Sequence, residues 1–460
     1  MSTVVERIGE YVEELRPEHV GADVIDYAKR ILLDSLACGY GGLESQPARL
    51  VRDAVAELGG HPQATLIGKG IKANAQSAAL ANGVAIRYQD YNDVYFGPAW
   101  TAHPSDTIAA LLAVGEWSKC SGIDFLLGMI ASYEVQMRFS DLPVPKNLWH
   151  RGWHHTAACS YAAAAGAGKI LKIGAGQIGH AIALSGARSN TFSEIRHGSI
   201  PMDKALSAPI VASQAILYTL LARNGFTGCT TLLEGPYGFS AAVAGGVDVE
   251  PLVPKTGDFR IMKIGLKPYP VEGMTPAMVQ AAIELRNEHG IKPEEIEAIR
   301  IFAHEEAVTK PSWDDHKHAP ANKETADHSF YYCTAVGLVA GECTSEQFED
   351  KWLRNPEVTR LLPLCRLEAR PHLTALFKRG ARPAAVEVKT ARGTFQREIL
   401  HPKGDPLNPM TWDDVAEKFM KQTAHVLDKA LAEEVIARTK CIEKEPDISK
   451  FAEMLGRTPI

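Results

Sequence analysis

The chain has 460 residues, 45% of them hydrophobic and 23% charged, and its 49 basic and 55 acidic side chains give a formal net charge of -6. This globular composition excludes a disordered or fibrous chain and leaves no polycationic face for nucleic acid. The expected partner is a small molecule, and an anionic one must be held by local Lys, Arg and His.

Two domains are the starting expectation at this length. The opening segment, "MSTVVERIGEYVEELRPEHV", is charged throughout and lacks the apolar core of a secretory signal. No apolar run approaches the ~20 residues of a membrane helix, so no membrane partner is expected. No two of the eight cysteines form C-x-x-C. Zinc-ribbon and iron–sulfur spacings are therefore absent, and free thiols in a reducing cytoplasm are expected.

Along the chain, "DVIDYAKRILLDSLACGYGG" has apolar residues at helical spacing and ends in glycines suited to a helix stop. "QSAALANGVAIRY", "DTIAALLAVGEWSKC", "IDFLLGMIASYEVQMRF", "AACSYAAAAGAGKILK" and "SAPIVASQAILYTLLARNG" continue the pattern with many small residues, predicting a closely packed helical bundle. The texture changes near residue 265. "PAMVQAAIELRNEHG" reads as a helix, "AIRIFA" as a half-buried strand, and "AAVEVKTARGTFQREIL" as a hairpin turning at Ala391-Arg392-Gly393. Helices are expected in "DHSFYYCTAVGLVAG" and "TSEQFEDKWL", and again from Thr411 as N-cap. The fold class is mainly α: a large helical domain from both chain ends, residues 1–264 and 403–460, with a smaller α+β domain, 265–402, inserted between them.

Four clusters carry candidate chemistry. In "RYQDYNDVYFGPAWTAHPSDT", Asp90 and Asp93 follow a helix, and on a helical turn their carboxylates share a face. Two acids at a helix carboxyl end oppose its dipole and call for compensation. His103 precedes a helix that Ser105 or Asp106 would cap, a setting that favours a neutral imidazole able to act as a general base. In "LWHRGWHHT", His150, His154 and His155 precede a helix with Thr156 as a potential cap. His150 and His154 have metal-ligand spacing if helical, but the intervening Arg-Gly points to a loop with one histidine turned into a cleft. Lys204 lies in the first turn of the next helix, the wrong end of the dipole for a cation, which signals a charged partner. In "KETADHSFYY", His328, Ser329, Tyr331 and Tyr332 enter an apolar helix.

In this order and spacing, "DYND" with "HPSD", "GWHHT", "MDK" ahead of "GFTG", "LKPYP" and "ETADHSFYY" resemble the MmgE/PrpD family, the 2-methylcitrate dehydratase-like proteins. The resemblance runs from "LLDSLACGYGG" to "HPKGDPLNPMTWDDVAEKF". It implies that the inserted domain is a lid, that the chain forms a homodimer, and that it acts on citrate-type acids without metal or other cofactor. Related members decarboxylate cis-aconitate or epimerise iminodisuccinate. The family's catalytic positions fall on Asp90, Asp93, His103, His154, Lys204 and Tyr332, with Lys267 and His155 binding substrate. The expected reaction is dehydration of an acid such as 2-methylcitrate, as in propionate catabolism. His103 is the base, oriented by Asp90 or Asp93; Lys204 and His154 neutralise carboxylates or protonate the leaving hydroxyl; Tyr332 is a second proton donor. Decarboxylation and epimerisation remain alternatives on the same scaffold. Outside it stand a metal-dependent hydrolase using Asp90, Asp93 and His103, and a binding protein without activity. Two positions depart from the family pattern. Val94 stands where cis-aconitate decarboxylases tend to carry threonine, and Pro276 where many members carry a histidine after "KPYP".

Overall fold

The structure, a computed structural model, describes residues 2–189, 191–309 and 315–458. It is mainly helical with small sheets. The amino-terminal part contains α1 (Val4–Glu14), α2 (Ala22–Gly42), α3 (Gln46–Leu58), α4 (Ala75–Tyr88), α5 (Ile108–Ser118), α6 (Gly122–Ser140), α7 (Ala157–Ile170), α8 (Ala175–Gly186) and α9 (Asp203–Arg223). The small residues read from the sequence set the packing distance. A Cβ on Gly166 of α7 would lie 2.7 Å from the carbonyl oxygen of Gly128 on α6, so the two backbones touch where these helices cross.

By length and hydropathy α9 qualifies as a membrane span, contrary to the expectation that no such run exists. Its apolar face instead packs on α4, α7 and α8, and most of the segment lies inside the protein. The helix Trp412–Thr423 starts as expected, the Thr411 hydroxyl accepting the Asp414 N–H, and it packs on α2.

Two hydrophobic cores form. One draws on residues 4–266 and 410–455, the other on residues 271–388. In the second, strand Ile296–Ala303 runs parallel to Cys365–Ala369 and antiparallel to Ala384–Thr390, which pairs with Gly393–Ile399. The hairpin closes with Thr390 opposite Gly393, whose φ of 133° suits glycine. Strand Cys365–Ala369 was not expected: "CRLEA" is short and half charged, and only its neighbour makes it a strand. α10 (Pro276–His289) covers the Ala384–Thr390 and Gly393–Ile399 strands. "TSEQFEDKWL" forms only a 3₁₀ turn and one short helix.

Between α4 and α5, Tyr95–Phe96 pairs antiparallel with Thr101–Ala102. This register folds His103 back beside Asp93. Neither Ser105 nor Asp106 caps α5, contrary to expectation. A 3₁₀ turn, Pro104–Thr107, leads into the helix, and both side chains bond elsewhere in the loop. Thr156 likewise provides no cap to α7; its hydroxyl meets His154 Nδ1 at 3.0 Å.

Gly166→Val is expected to destabilise the protein by about 3 kcal/mol, the upper range for overpacking a tight core, read as a lower urea midpoint. A midpoint like that of the unaltered protein would show that α6 and α7 do not meet backbone to backbone.

Candidate active site

α4 ends at Tyr88, and Asp90 takes a left-handed conformation with φ 51°. Aspartate tolerates this region better than most residues. The turn sends the two expected carboxylates in different directions, so Asp90 and Asp93 do not share a face. Asp90 is buried, and its Oδ1 accepts from Arg87 at 2.9 Å and Lys267 at 2.7 Å. Its Oδ2 lies 3.1 Å from Lys204 Nζ and 3.3 Å from His328 Nε2. Burial alone would raise the Asp90 pKa; Lys204, Lys267 and Arg87 together hold it well below the usual carboxylate range.

Lys204 therefore has the charged partner that its place in α9 called for. Its ammonium donates to both oxygens of Asp327, each at 2.9 Å, as well as facing Asp90. Burial lowers its pKa to about 8 against the pull of those two carboxylates. Asp327 also binds Lys323 and the Nδ1 of His328. Burial and the Lys204 charge push the His328 imidazole down to about 3. Asp90, Asp327 and His328 bring ligand atoms within 4.8 Å of one another, as a metal site would. The Lys204 ammonium lies within 3.3 Å of all three side chains and supplies the positive charge there. Among the described residues, Asp90, Asp93 and His103 do not form such a group.

These groups back a cavity of about 90 Å³ lined by Asp90, His103, His154, His155, Arg196 and His328, with Trp100, Trp149, Ile200 and Met274 as apolar wall. His103 Nδ1 lies 2.5 Å from the Asp93 carbonyl oxygen, so Nδ1 carries the proton and Nε2 the free lone pair. Burial, then Arg87 and Lys267, keep this imidazole neutral. His154 Nε2 and both ring nitrogens of His155 are buried without a hydrogen-bond partner. Burial lowers both pKa values well below the ordinary histidine range, helped by His155 and Arg196 for His154 and by Arg196 and Arg87 for His155. The His154 and His155 rings lie 4.2 Å apart, and those of His155 and His103 5.1 Å apart.

Three expected roles need correction. The Asp93 carboxylate does not orient His103: it accepts from Ser105 and Tyr133, burial lifts its pKa to about 7, and the residue's backbone carbonyl holds the imidazole. Lys267 does not line the cavity: its ammonium is bound to the carboxylate and the carbonyl of Asp90, and like Lys204 it stands behind that residue. Tyr332 is no proton donor here: its hydroxyl donates to the Gln347 carbonyl at 2.6 Å in the second core. The same motif contributes Asp327 and His328 instead, one helical turn earlier. Reading the sequence also missed Arg87 and Arg196. "IRHGS" has no periodic or motif signal, and its significance rests on where the turn Ser193–Arg196 sits.

From residue 272 onward the chain supplies Glu272, Gly273, Met274, Lys317 and His328 to the same cavity. Val94 and Pro276, the two departures from pattern, do not line it. Val94 pairs with Gly265 and Pro276 opens α10.

Comparison with known proteins finds two matches that together span most of the chain. Residues 6–252 match the MmgE/PrpD N-terminal domain and residues 269–444 the MmgE/PrpD C-terminal domain. The chain is 24% identical to the cis-aconitate decarboxylase-like protein oryM of Aspergillus oryzae, over 97% of this chain and 96% of the relative. It is 25% identical to the cis-aconitate decarboxylase of Homo sapiens, over 100% and 96%. To the 2-methylcitrate dehydratase of Cupriavidus necator it is 26% identical, over 84% and 85%. With both domain matches in sequence order, the chain belongs to the MmgE/PrpD family.

Proposed function

We propose that this lyase-type enzyme is a hydro-lyase that removes water from a citrate-type hydroxy acid by acid/base elimination, with no metal. The observation that carries this reading is the convergence of three buried, neutral imidazoles on one cavity backed by a lysine–carboxylate cluster. Elimination beside a carboxylate builds negative charge on the carbon losing its proton, so it needs a nearby base and fixed positive charge. His103 Nε2 is the base, held in the right tautomer by the Asp93 carbonyl. Lys204 supplies the positive charge, steadied by Asp90 and Asp327. The imidazolium formed on His103 returns its proton to the departing hydroxyl, which leaves as water. Residues 265–402 act as the lid, consistent with their placing Met274 and His328 over the same cavity. A homodimer belongs to the same reading.

Decarboxylation is the second reading. Its support is the coverage by named decarboxylases, which extends over nearly the whole chain. Incubation with a panel of citrate-like and tartrate-like acids, followed by mass spectrometry, separates the two by loss of water or of carbon dioxide. Loss of neither from any acid would remove both.

His103→Ala and Lys204→Ala are each expected to cut kcat/KM by ~100-fold or more, as loss of an acid/base or charge-stabilising group does, with the fold retained by circular dichroism. Tyr332→Phe leaves kcat unchanged, because its hydroxyl serves the Gln347 carbonyl. The opposite ranking would return the proton-donor role to Tyr332.

The pH profile follows from the same groups. Lys204 is cationic below about 8 and loses its charge above it, so kcat/KM falls as pH rises through that value. The base-forming imidazoles titrate well below the usual histidine range, so no acid limb is expected near neutrality. A profile flat through pH 8 and beyond contradicts the charge role of Lys204.

A further inference from the structure

The cations in and behind the cavity wall are not equivalent. Lys204 is bound to Asp90 and Asp327 and Lys267 to Asp90, Arg87 sits fully buried behind Asp90, and Lys317 donates to the Gly198 carbonyl. The histidines lining the cavity are held neutral. Arg196 differs: it lines the cavity, and no carboxylate of the described residues lies within ion-pair distance of it. Its Nε and Nη2 are both buried without a hydrogen-bond partner. These two N–H groups form one side of the guanidinium fork, the edge that meets the two oxygens of a carboxylate in parallel. A buried guanidinium edge with no acceptor is costly unless a ligand supplies one. Its near neighbours do not: the carboxylates of Asp90, Asp106 and Glu272 attract it from beyond ion-pair distance, Arg87 repels it, and neither His154 nor His155 is hydrogen-bonded to these two nitrogens.

We infer that Arg196 is the anchor for one substrate carboxylate, gripping it side-on through Nε and Nη2, and that the enzyme thereby selects acids carrying an additional carboxylate away from the reacting carbon. This rests on the carboxylic-acid lyase reading for the identity of the reaction, but binding alone tests it. With the Lys204 charge held behind Asp90, Arg196 sets a second, separate point of charge recognition. A substrate with only the reacting carboxylate leaves the guanidinium edge unsatisfied, so it is rejected for the same reason that a buried donor resists losing its partner.

Three probes decide it: tricarballylate, and the two dicarboxylates made by deleting one of its carboxylates, glutarate and methylsuccinate. Titration calorimetry on the intact protein is expected to show tricarballylate bound tighter than at least one truncated acid by about 10- to 100-fold, the range for one charge-assisted hydrogen-bonded pair. Arg196→Gln should abolish that difference, and Arg196→Lys should restore only part of it, since an ammonium lacks the fork. Glu194→Gln, at an exposed position of the same turn, should leave the difference intact. Thermal unfolding confirms that each variant is folded. Once a turned-over acid is found, Arg196→Gln should raise KM while kcat changes little. Undiminished discrimination in Arg196→Gln overturns the anchor while leaving the lyase reading standing. Equal binding of all three acids by the unaltered protein, or binding of none, also overturns it. Discrimination lost in Arg196→Gln with no turnover of any acid would support the anchor and count against the lyase reading.

Discussion

The buried carboxylate of Asp90 holds together segments that are remote in the chain. Arg87 reaches it from α4, Lys204 from α9, Lys267 from the loop before α10, and His328 from the entry to the helix Phe330–Ala340. An isolated carboxylate at this depth would be neutral, because burial penalises the charged form. Here the surrounding cations reverse that balance, and each cation in turn has its own desolvation offset by the same group. Removing one member of such a cluster leaves the others buried and uncompensated, so it behaves as a unit. The two hydrophobic cores are thereby joined by charge as well as by packing, and the cavity lies at that junction.

The cluster also fixes a positive charge between the carboxylates. Asp327 and Asp90 keep the Lys204 ammonium in place, and burial brings its pKa down to about 8. On the other side of the cavity, burial has the opposite consequence for imidazoles, keeping His103, His154 and His155 unprotonated. One physical effect thus prepares a charged group that can yield a proton and neutral groups that can accept one. Trp100, Trp149, Ile200 and Met274 give the imidazoles an apolar wall, and low local polarity strengthens electrostatic contacts.

Backbone positions carry as much of the site as side chains do. The carbonyl of Asp93 selects the His103 tautomer, while the Asp93 side chain turns away to Ser105 and Tyr133. The short hairpin Tyr95–Phe96 with Thr101–Ala102 brings that carbonyl to the imidazole. Residue 93 therefore meets the imidazole through its backbone, while its carboxylate serves Ser105 and Tyr133.

Helix periodicity, small-residue faces, the Gly393 turn and the Thr411 cap were legible in the sequence because each depends on neighbours within a few residues. So was the unease of two acids after α4 and of a lysine at the start of α9, since the helix dipole acts locally. Motif order singled out Asp90, His103, His154 and His155, which line one cavity, and Lys204, which pairs with Asp90 behind it. Tertiary structure decided what local chemistry leaves open. The left-handed turn at Asp90 separated it from Asp93, the second core claimed the Tyr332 hydroxyl, and Lys267 was drawn behind the wall rather than into the cavity. Strand Cys365–Ala369 needed its parallel neighbour, and Arg196 gained its meaning only from a cavity whose other charges were already paired. Local signals report what a segment prefers; which of its polar groups remain unpartnered is settled only when distant segments meet.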